Sequence, residues 1–244
     1  SDLYAFSYCI FLENASFPGT VSSIGDYAFG FCVSLDMPMP AGLVSVGNGA
    51  FYGCESLTSV AIPDGVTEIG KEAFFACPAL QEITMPDSVT QIDDTAFYRC
   101  AALTSVSLSG GLQSIGTEAF RECTLLRDLA FPESLTRIGD RAFRYCYGLT
   151  DVTIPSGVTE IGDYAFLECR GITKLTFSEG LQHIGGGAFL RCTGLTALTL
   201  PHTLKQIGAS GFGECEGLTA LHIPAGVTDV GTYAFDCGEA LRRV

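Results

Sequence analysis

Apolar and polar residues alternate along this chain in a frame that repeats about every 23 residues. The frame reads LTSVAIPDGVTEIGKEAFFACPA from Leu57 and LTDVTIPSGVTEIGDYAFLECRG from Leu149. Within it, Val60 and Ile62 flank Ala61, which is the alternation typical of a strand with one buried face. A strand this short is not stable alone, so we expect it to pair with the equivalent strand of the next repeat.

An alanine or glycine followed by phenylalanine marks every repeat. These phenylalanines are Phe6, Phe29, Phe51, Phe74, Phe97, Phe120, Phe143, Phe166, Phe189, Phe212 and Phe235. Successive members are 23, then 22, then eight times 23 residues apart. Self-similarity at a fixed period of this length indicates a solenoid, and the count predicts about 11 repeats.

Each repeat is predicted to form one coil with two extended segments and a turn. In the repeat from Leu57, the first strand ends at Pro63, which lacks the N–H that a ladder needs. The range 66–69 forms a second extended segment, and Gly70 is expected to permit a turn. Residues 71–77 are predicted to form a helical turn that carries an alanine, a phenylalanine and a cysteine into the core.

The combined LxxVxIP, IGxxAF and FxxC spacings resemble the BspA-type (Treponema pallidum-like) leucine-rich repeat family, and the resemblance covers essentially all 244 residues. It implies an α/β leucine-rich-repeat solenoid of right-handed coils. One face would carry a parallel β-sheet, and the other a short strand and the helical turn. The family's members are surface proteins of bacteria and some protists, implicated in adhesion. The resemblance therefore implies a non-enzymatic, extracellular binding module for a protein or glycan on host or neighbouring cells. A structural spacer or stalk is the alternative.

The chain begins and ends inside the repeat frame. We therefore expect residues 1–244 to form a single solenoid domain that is cut within a repeat at both ends. Neither end shows the polar capping repeat that solenoids normally need.

Charge argues against two classes of partner. Lysine and arginine number 13 against 27 aspartates and glutamates, a formal net charge of −14. Sequence-independent binding to nucleic acid and docking on anionic membranes both depend on clustered basic residues. No apolar run approaches the roughly 18 residues of a membrane-spanning helix, so we expect no direct membrane insertion of this segment.

All 11 cysteines lie in repeat positions, one in each copy. Three interpretations are possible: free thiols in the core, disulfides between coils, or metal ligands. Free thiols are favoured, because cysteine behaves as a small buried hydrophobe and parallel Cβ vectors suit a disulfide poorly. One thiol per coil does not converge on a single metal ion, so no metal site and no cofactor are predicted.

Enzymatic chemistry has little support in the sequence. The histidines His183, His202 and His222 occupy three different repeat positions, and no nucleophile is specifically placed beside any of them. The glycine-rich run at Gly185 follows the repeat frame and lacks the lysine of a phosphate-binding loop. We therefore predict no catalytic residues.

Outward positions of the first strand are the predicted partner-binding surface. The candidate residues are Glu82, Thr84, Asp128, Asp151, Thr153, Lys174, Thr176 and His222. They would form a flat, mildly acidic face for an extended partner. The competing interpretation is that serine and threonine simply pack well across neighbouring strands.

The tyrosines mark a second candidate surface. All nine cluster around the Ala-Phe turn, and none lies on the first strand. Tyrosine is enriched at interfaces because it combines apolar area with a polar tip. It is equally a normal way to cover a turn, and the sequence leaves both interpretations open.

Overall fold

A computed structural model describes residues 3–127 and 129–243 of the chain. The chain winds as a parallel solenoid with coils of about 23 residues, as the repeat predicts, and strands of successive coils pair in parallel at the same repeat position. The equivalent residues Glu68 and Gln91 are partners in one ladder, and Ser59 and Glu82 are partners in another.

The second extended segment of each coil builds one long sheet. Its ten strands are β1 (Ser23–Ile24), β2 (Ser45–Val46), β4 (Glu68–Ile69), β6 (Gln91–Ile92), β8 (Ser114–Ile115), β9 (Arg137–Ile138), β11 (Glu160–Ile161), β13 (His183–Ile184), β15 (Gln206–Ile207) and β17 (Asp229–Val230). From β1 to β15, the isoleucine or valine of each strand is buried. This sheet includes ten strands, one fewer than the eleven repeats counted in the sequence. The number of eleven repeats therefore stays a prediction.

The first extended segment forms three shorter sheets on another side of the coil. The strands are β3 (Ser59–Ala61), β5 (Glu82–Thr84), β7 (Ser105–Ser107), β10 (Asp151–Ile154), β12 (Lys174–Phe177), β14 (Ala197–Thr199) and β16 (Ala220–His222). Strands β3, β5 and β7 form one sheet, β10 and β12 a second, and β14 and β16 a third. The predicted first-strand sheet is therefore present but interrupted.

The predicted helical turn over residues 71–77 is wrong, since the described residues contain no helix. Glu72 and Ala76 have φ angles of 58° and 52°, so two residues of this segment have the left-handed backbone conformation that a helical turn excludes. Successive amides then point to different partners: the Phe74 amide donates to Ala96 of the next coil (2.8 Å), and the Phe75 amide donates back to Glu72 (3.0 Å). Amides that a helix would use internally thus tie neighbouring coils together.

A stack of phenylalanine rings runs through the core beside this turn. It begins at Phe6 and continues to Phe235, with consecutive ring centroids 5.1–5.5 Å apart and ring planes within 12° of parallel. The rings from Phe29 to Phe212 are almost completely buried. Each coil therefore contributes one ring to a continuous apolar column, which is the core of the solenoid.

The cysteine of each coil packs beside this column. The ten cysteines from Cys32 to Cys237 are buried free thiols, whereas Cys9, predicted to be buried like the others, is exposed. Each buried thiol donates to the phenylalanine carbonyl of the preceding coil, as Cys123 does to Phe97 at 3.1 Å. The cysteine therefore supplies a weak donor that links coils, in addition to apolar volume.

The glycine that follows each second strand serves close packing rather than a turn. A turn follows Gly70 over residues 71–76, but no positive φ occurs at Gly70 or Gly139, so the turn does not require the conformational freedom of glycine there. A Cβ added to Gly139 would stand 2.7 Å from the carbonyl carbon of Gly116 in the preceding coil. Asp93 takes this position in one coil, and its amide still donates to the Ile69 carbonyl at 2.9 Å.

Replacing Gly139 with alanine should destabilise the fold by about 1–3 kcal/mol, because the new methyl group meets backbone that cannot rotate away. Gly19→Ala is the matched control, since a Cβ there would meet nothing within 4 Å. Urea unfolding of both variants measures the difference. Equal stability of Gly139→Ala and the parent chain would show that the coils are not packed this closely.

Candidate partner-binding surface

The predicted partner-binding residues lie on the exposed face of the first-strand sheets. Seven of them are described, and all seven are exposed: Glu82, Thr84, Asp151, Thr153, Lys174, Thr176 and His222. Asp128 lies outside the described residues. The alternation of the strand explains this placement, because the apolar neighbours of each exposed residue point into the core.

Strands β10 and β12 bring four of the seven together. Asp151 is the ladder partner of Lys174, and Thr153 is the partner of Thr176. The Lys174 ammonium lies 3.1 Å from Asp151 Oδ2, with both side chains more than half exposed. An ion pair this exposed adds little stability, so its charges remain accessible to a partner.

The other three predicted residues are not part of this cluster. Glu82 and Thr84 lie on β5, and His222 lies on β16, each in a separate sheet. The structure therefore places them on the same side of the solenoid without forming a single site with Asp151 and Lys174.

A groove of about 640 Å³ opens on this face between β7 and β10. Asp151, Thr153 and Lys174 line it, so this part of the surface is a groove and not the flat face expected from the strand pattern. Its remaining wall includes Ser107 of β7 and Arg127, neither of which was among the predicted site residues. We name this cavity the first-strand groove.

Phe131 lines the first-strand groove. It occupies the repeat position that holds Ile62 or Ile154 in other coils, and its ring packs edge-on against Phe143 at a centroid distance of 5.5 Å. The described residues 129–131 form no strand. Phe177 fills the same repeat position but lies within β12, where it is the ladder partner of Ile154. A phenylalanine here can thus be part of a strand, so the ring alone was not a sequence signal for the groove.

Replacing Phe131 with isoleucine should extend the first-strand sheet across the groove, because isoleucine fits the strand geometry of the other coils. Amide hydrogen exchange should then slow in residues 129–131 relative to the parent chain. Peptides from β10, already paired with β12, serve as the internal reference. Unchanged exchange in residues 129–131 would mean that something other than the ring interrupts the sheet.

The tyrosines lie around the Phe turn, and several are committed to internal contacts. Tyr8, Phe31, Tyr52, Phe75 and Tyr98 form a ribbon of neighbouring rings with centroids 4.5–5.1 Å apart. Tyr52, Phe75 and Tyr98 are half-buried, whereas Tyr8 at the start of the ribbon is exposed. This observation favours the interpretation that these tyrosines cover the turn.

Hydrogen bonding and burial raise the tyrosine pKa values on this side. Tyr27 donates its hydroxyl to Glu72 Oε2 at 2.7 Å. The bond to this carboxylate and partial burial raise the pKa of Tyr27 to about 12. Burial is the first cause of the raised pKa of Tyr52, Tyr98 and Tyr147.

Ion pairs cross the coils on the same side. The carboxylate of Glu168, only 8% exposed, lies 2.6 Å from Arg170 and 3.1 Å from Arg191 of the next coil. Arg191 also reaches Glu214 at 2.8 Å. The two guanidinium groups offset the cost of removing the Glu168 carboxylate from water. These ion pairs therefore connect neighbouring coils.

The described part of the chain contains neither a candidate metal site nor a candidate membrane-spanning helix. Among residues 3–127 and 129–243, no group of three or more histidine, cysteine, aspartate or glutamate side chains is arranged to hold a metal ion. No helix in these ranges has the length and apolar character needed to cross a membrane.

The family model described as the BspA type leucine rich repeat region matches residues 2–127 and 114–242, with six copies of the repeat. No curated protein matches the chain. The two matched ranges together cover almost the whole sequence, including every strand of both extended segments.

Solved bacterial structures share the fold. A leucine-rich repeat protein from Bacteroides ovatus is 26% identical, with a TM-score of 0.55 over 99% of this chain and 80% of that one. A leucine rich cell surface protein from Faecalibacterium prausnitzii is 29% identical, with a TM-score of 0.58 over 99% and 74%. The T. pallidum leucine rich repeat protein is 31% identical, with a TM-score of 0.57 over 75% and 78%. The chain therefore belongs to the BspA-type leucine-rich repeat family.

Proposed function

We propose that residues 1–244 form one solenoid domain that acts as a non-enzymatic, extracellular binding module of adhesin type. It recognises a protein or glycan partner on host or neighbouring cells through the first-strand groove. The observation that carries the proposal is the groove itself, where exposed Asp151, Thr153 and Lys174 meet in a cavity of about 640 Å³. Its volume falls within the roughly 300–1,000 Å³ of many ligand sites.

The chemistry of the groove suits a polar, extended partner. Arg127 and Lys174 offer cationic donors, Asp151 offers an acceptor, and the strand residues Ser107 and Thr153 offer hydroxyl groups. Except for Arg127, these groups lie on strands, so little backbone entropy is lost when they contact a partner. The relative from Faecalibacterium prausnitzii is described as a cell surface protein, which supports an extracellular location.

A structural spacer or stalk is the second candidate. The observation that favours it is the uninterrupted ten-strand sheet beside the continuous phenylalanine stack. Backbone bonds and stacked rings at every coil resist bending. A stalk would keep its shape while binding nothing, whereas a binding module retains at least one partner.

An array of extracellular proteins and glycans, probed with the whole chain, separates the two candidates. The binding module is expected to retain a specific protein or glycan with a saturable signal. Absence of saturable binding across both parts of the array would favour the stalk and overturn the adhesin proposal.

A further inference from the structure

A second groove lies on the edge of the solenoid between the Phe turn and the following first strand. Its volume is about 610 Å³, and none of its lining residues belongs to the first-strand groove. We name it the edge groove. We propose that it binds a neutral oligosaccharide, as a site additional to the proposed function of the first-strand groove.

The repeat explains why this groove forms where it does. The residue directly after the cysteine is large in some coils, as at Glu55 and Tyr147. In the three coils between them it is Pro78, Ala101 or Thr124, all of which line the groove. Three small side chains between two larger ones create a trough across neighbouring coils.

Two tyrosines form one end of the edge groove. The rings of Tyr145 and Tyr147 are 6.1 Å apart and inclined by 41°, and Tyr147 is 42% exposed. Neither ring belongs to the ribbon of rings that runs from Tyr8 to Tyr98. A guanidinium lies over one face of each ring, Arg144 over Tyr145 at 4.6 Å and Arg170 over Tyr147 at 5.8 Å. The exposed part of Tyr147 remains able to attract the polarised C–H groups on the apolar face of a sugar ring.

The rim supplies hydrogen-bonding groups that are already held in place. Glu122 accepts from Arg99 Nε at 3.0 Å and from the Tyr98 hydroxyl at 3.2 Å. A carboxylate and a guanidinium held side by side offer an acceptor and donors at the spacing of adjacent sugar hydroxyls. The hydroxyl of Thr124 lies on the same trough.

The backbone and the charge of the edge groove favour a neutral sugar over other ligands. The amides of Arg99 and Glu122 already donate to the next coil, both at 2.9 Å, so they cannot pair with an extended peptide. Glu55, Glu122 and Arg99 line the groove, and Arg144 and Arg170 lie over its two tyrosines, so charges of both signs are present. The net charge of −14 on the whole chain disfavours a polyanionic ligand such as an acidic polysaccharide.

Calorimetric titration of the chain with maltohexaose, cellohexaose, mannohexaose and chitohexaose tests the proposal. At least one of these neutral hexasaccharides should bind, and Tyr147→Ala should weaken its affinity at least tenfold. Ala101→Phe should weaken it similarly by filling the floor without altering the tyrosines. Tyr233→Ala is the matched control, because Tyr233 is 70% exposed and lies outside the groove.

Thr153→Arg separates this site from the first-strand groove, since it should leave hexasaccharide binding unchanged. Thermal unfolding confirms that each variant is folded. The proposal is overturned if none of the four sugars binds, or if binding survives both Tyr147→Ala and Ala101→Phe. Capture of an extended peptide that depends on Tyr147, without sugar binding, would likewise overturn it.

Discussion

Raising the pH from 7.5 to 9.5 should lower the free energy of unfolding by about 6 kcal/mol, in the presence of a non-thiol reductant. Burial raises the pKa of nine cysteine thiols above the ordinary value of 9.0, and for Cys215 to about 12. The nine are Cys32, Cys54, Cys77, Cys123, Cys146, Cys169, Cys192, Cys215 and Cys237.

The direction follows from proton counts in the two states. Above about pH 9 the unfolded thiols lose their protons, while the folded thiols keep them. The unfolded state then binds fewer protons, so stability falls as the pH rises. The contribution of these thiols is fully present below the unfolded pKa and is lost as the pH rises through the folded pKa. For the seven thiols whose pKa is raised most, Cys54, Cys77, Cys123, Cys146, Cys169, Cys192 and Cys215, each contributes about 0.8 kcal/mol of this loss by pH 9.5.

Urea midpoints at pH 7.5, 8.5 and 9.5 measure the loss, with the slope of unfolding checked at each pH. Cys123→Ala is the internal control, because it should remove one thiol's share of the pH dependence. In the folded chain at pH 7.5, iodoacetamide should label only Cys9, the exposed cysteine. A midpoint that stays constant over this pH range would show that the cysteines are not buried as thiols.

Replacing Phe120 with alanine should destabilise the chain by about 3–5 kcal/mol. The ring is completely buried, and its centroid lies 5.1 Å from that of Phe97 and 5.3 Å from that of Phe143. Its removal opens a cavity in the middle of the stack. Because each coil contacts only its neighbours, the two halves of the solenoid should also unfold less cooperatively.

Chemical unfolding followed by circular dichroism measures this cost. Phe11→Ala is the matched control, since that ring is 88% exposed and should cost less than about 0.5 kcal/mol. If Phe120→Ala is no more destabilising than Phe11→Ala, the phenylalanine stack does not form the core.

The inward positions of the first strand could be predicted from the sequence, because side chains along a strand point alternately to its two faces. Alternation predicts that Val60 and Ile62 point inward, and both are buried. The same rule predicts the exposure of Asp151 and Lys174, which the structure places side by side.

The Phe turn could not be predicted in this way. Glu72 and Glu118 adopt positive φ angles that side chains other than glycine rarely adopt, and nothing local in the sequence signals this conformation. It is maintained by hydrogen bonds between coils, such as the 2.9 Å bond from the Glu118 amide to Asp140. A helical turn satisfies the same apolar pattern without these bonds, so the pattern alone does not distinguish the two.

The candidate groove depends on packing between different coils. Phe131 fits the apolar pattern as well as isoleucine does, so the pattern does not indicate that residues 129–131 form no strand. Nor does it indicate that Arg127 lines the groove. Predicting these features requires the three-dimensional neighbours of each repeat position, which a single repeat does not contain.

The affinity of Thr153→Arg for the partner identified on the array tests the central claim most directly. Thr153 lines the first-strand groove, and arginine there adds bulk and charge whatever the partner's chemistry. Thr90→Arg is the matched control, because Thr90 is exposed beside β6 on the other sheet. The account predicts at least a tenfold loss of affinity for Thr153→Arg and none for Thr90→Arg. Equal affinity of the two variants would contradict it.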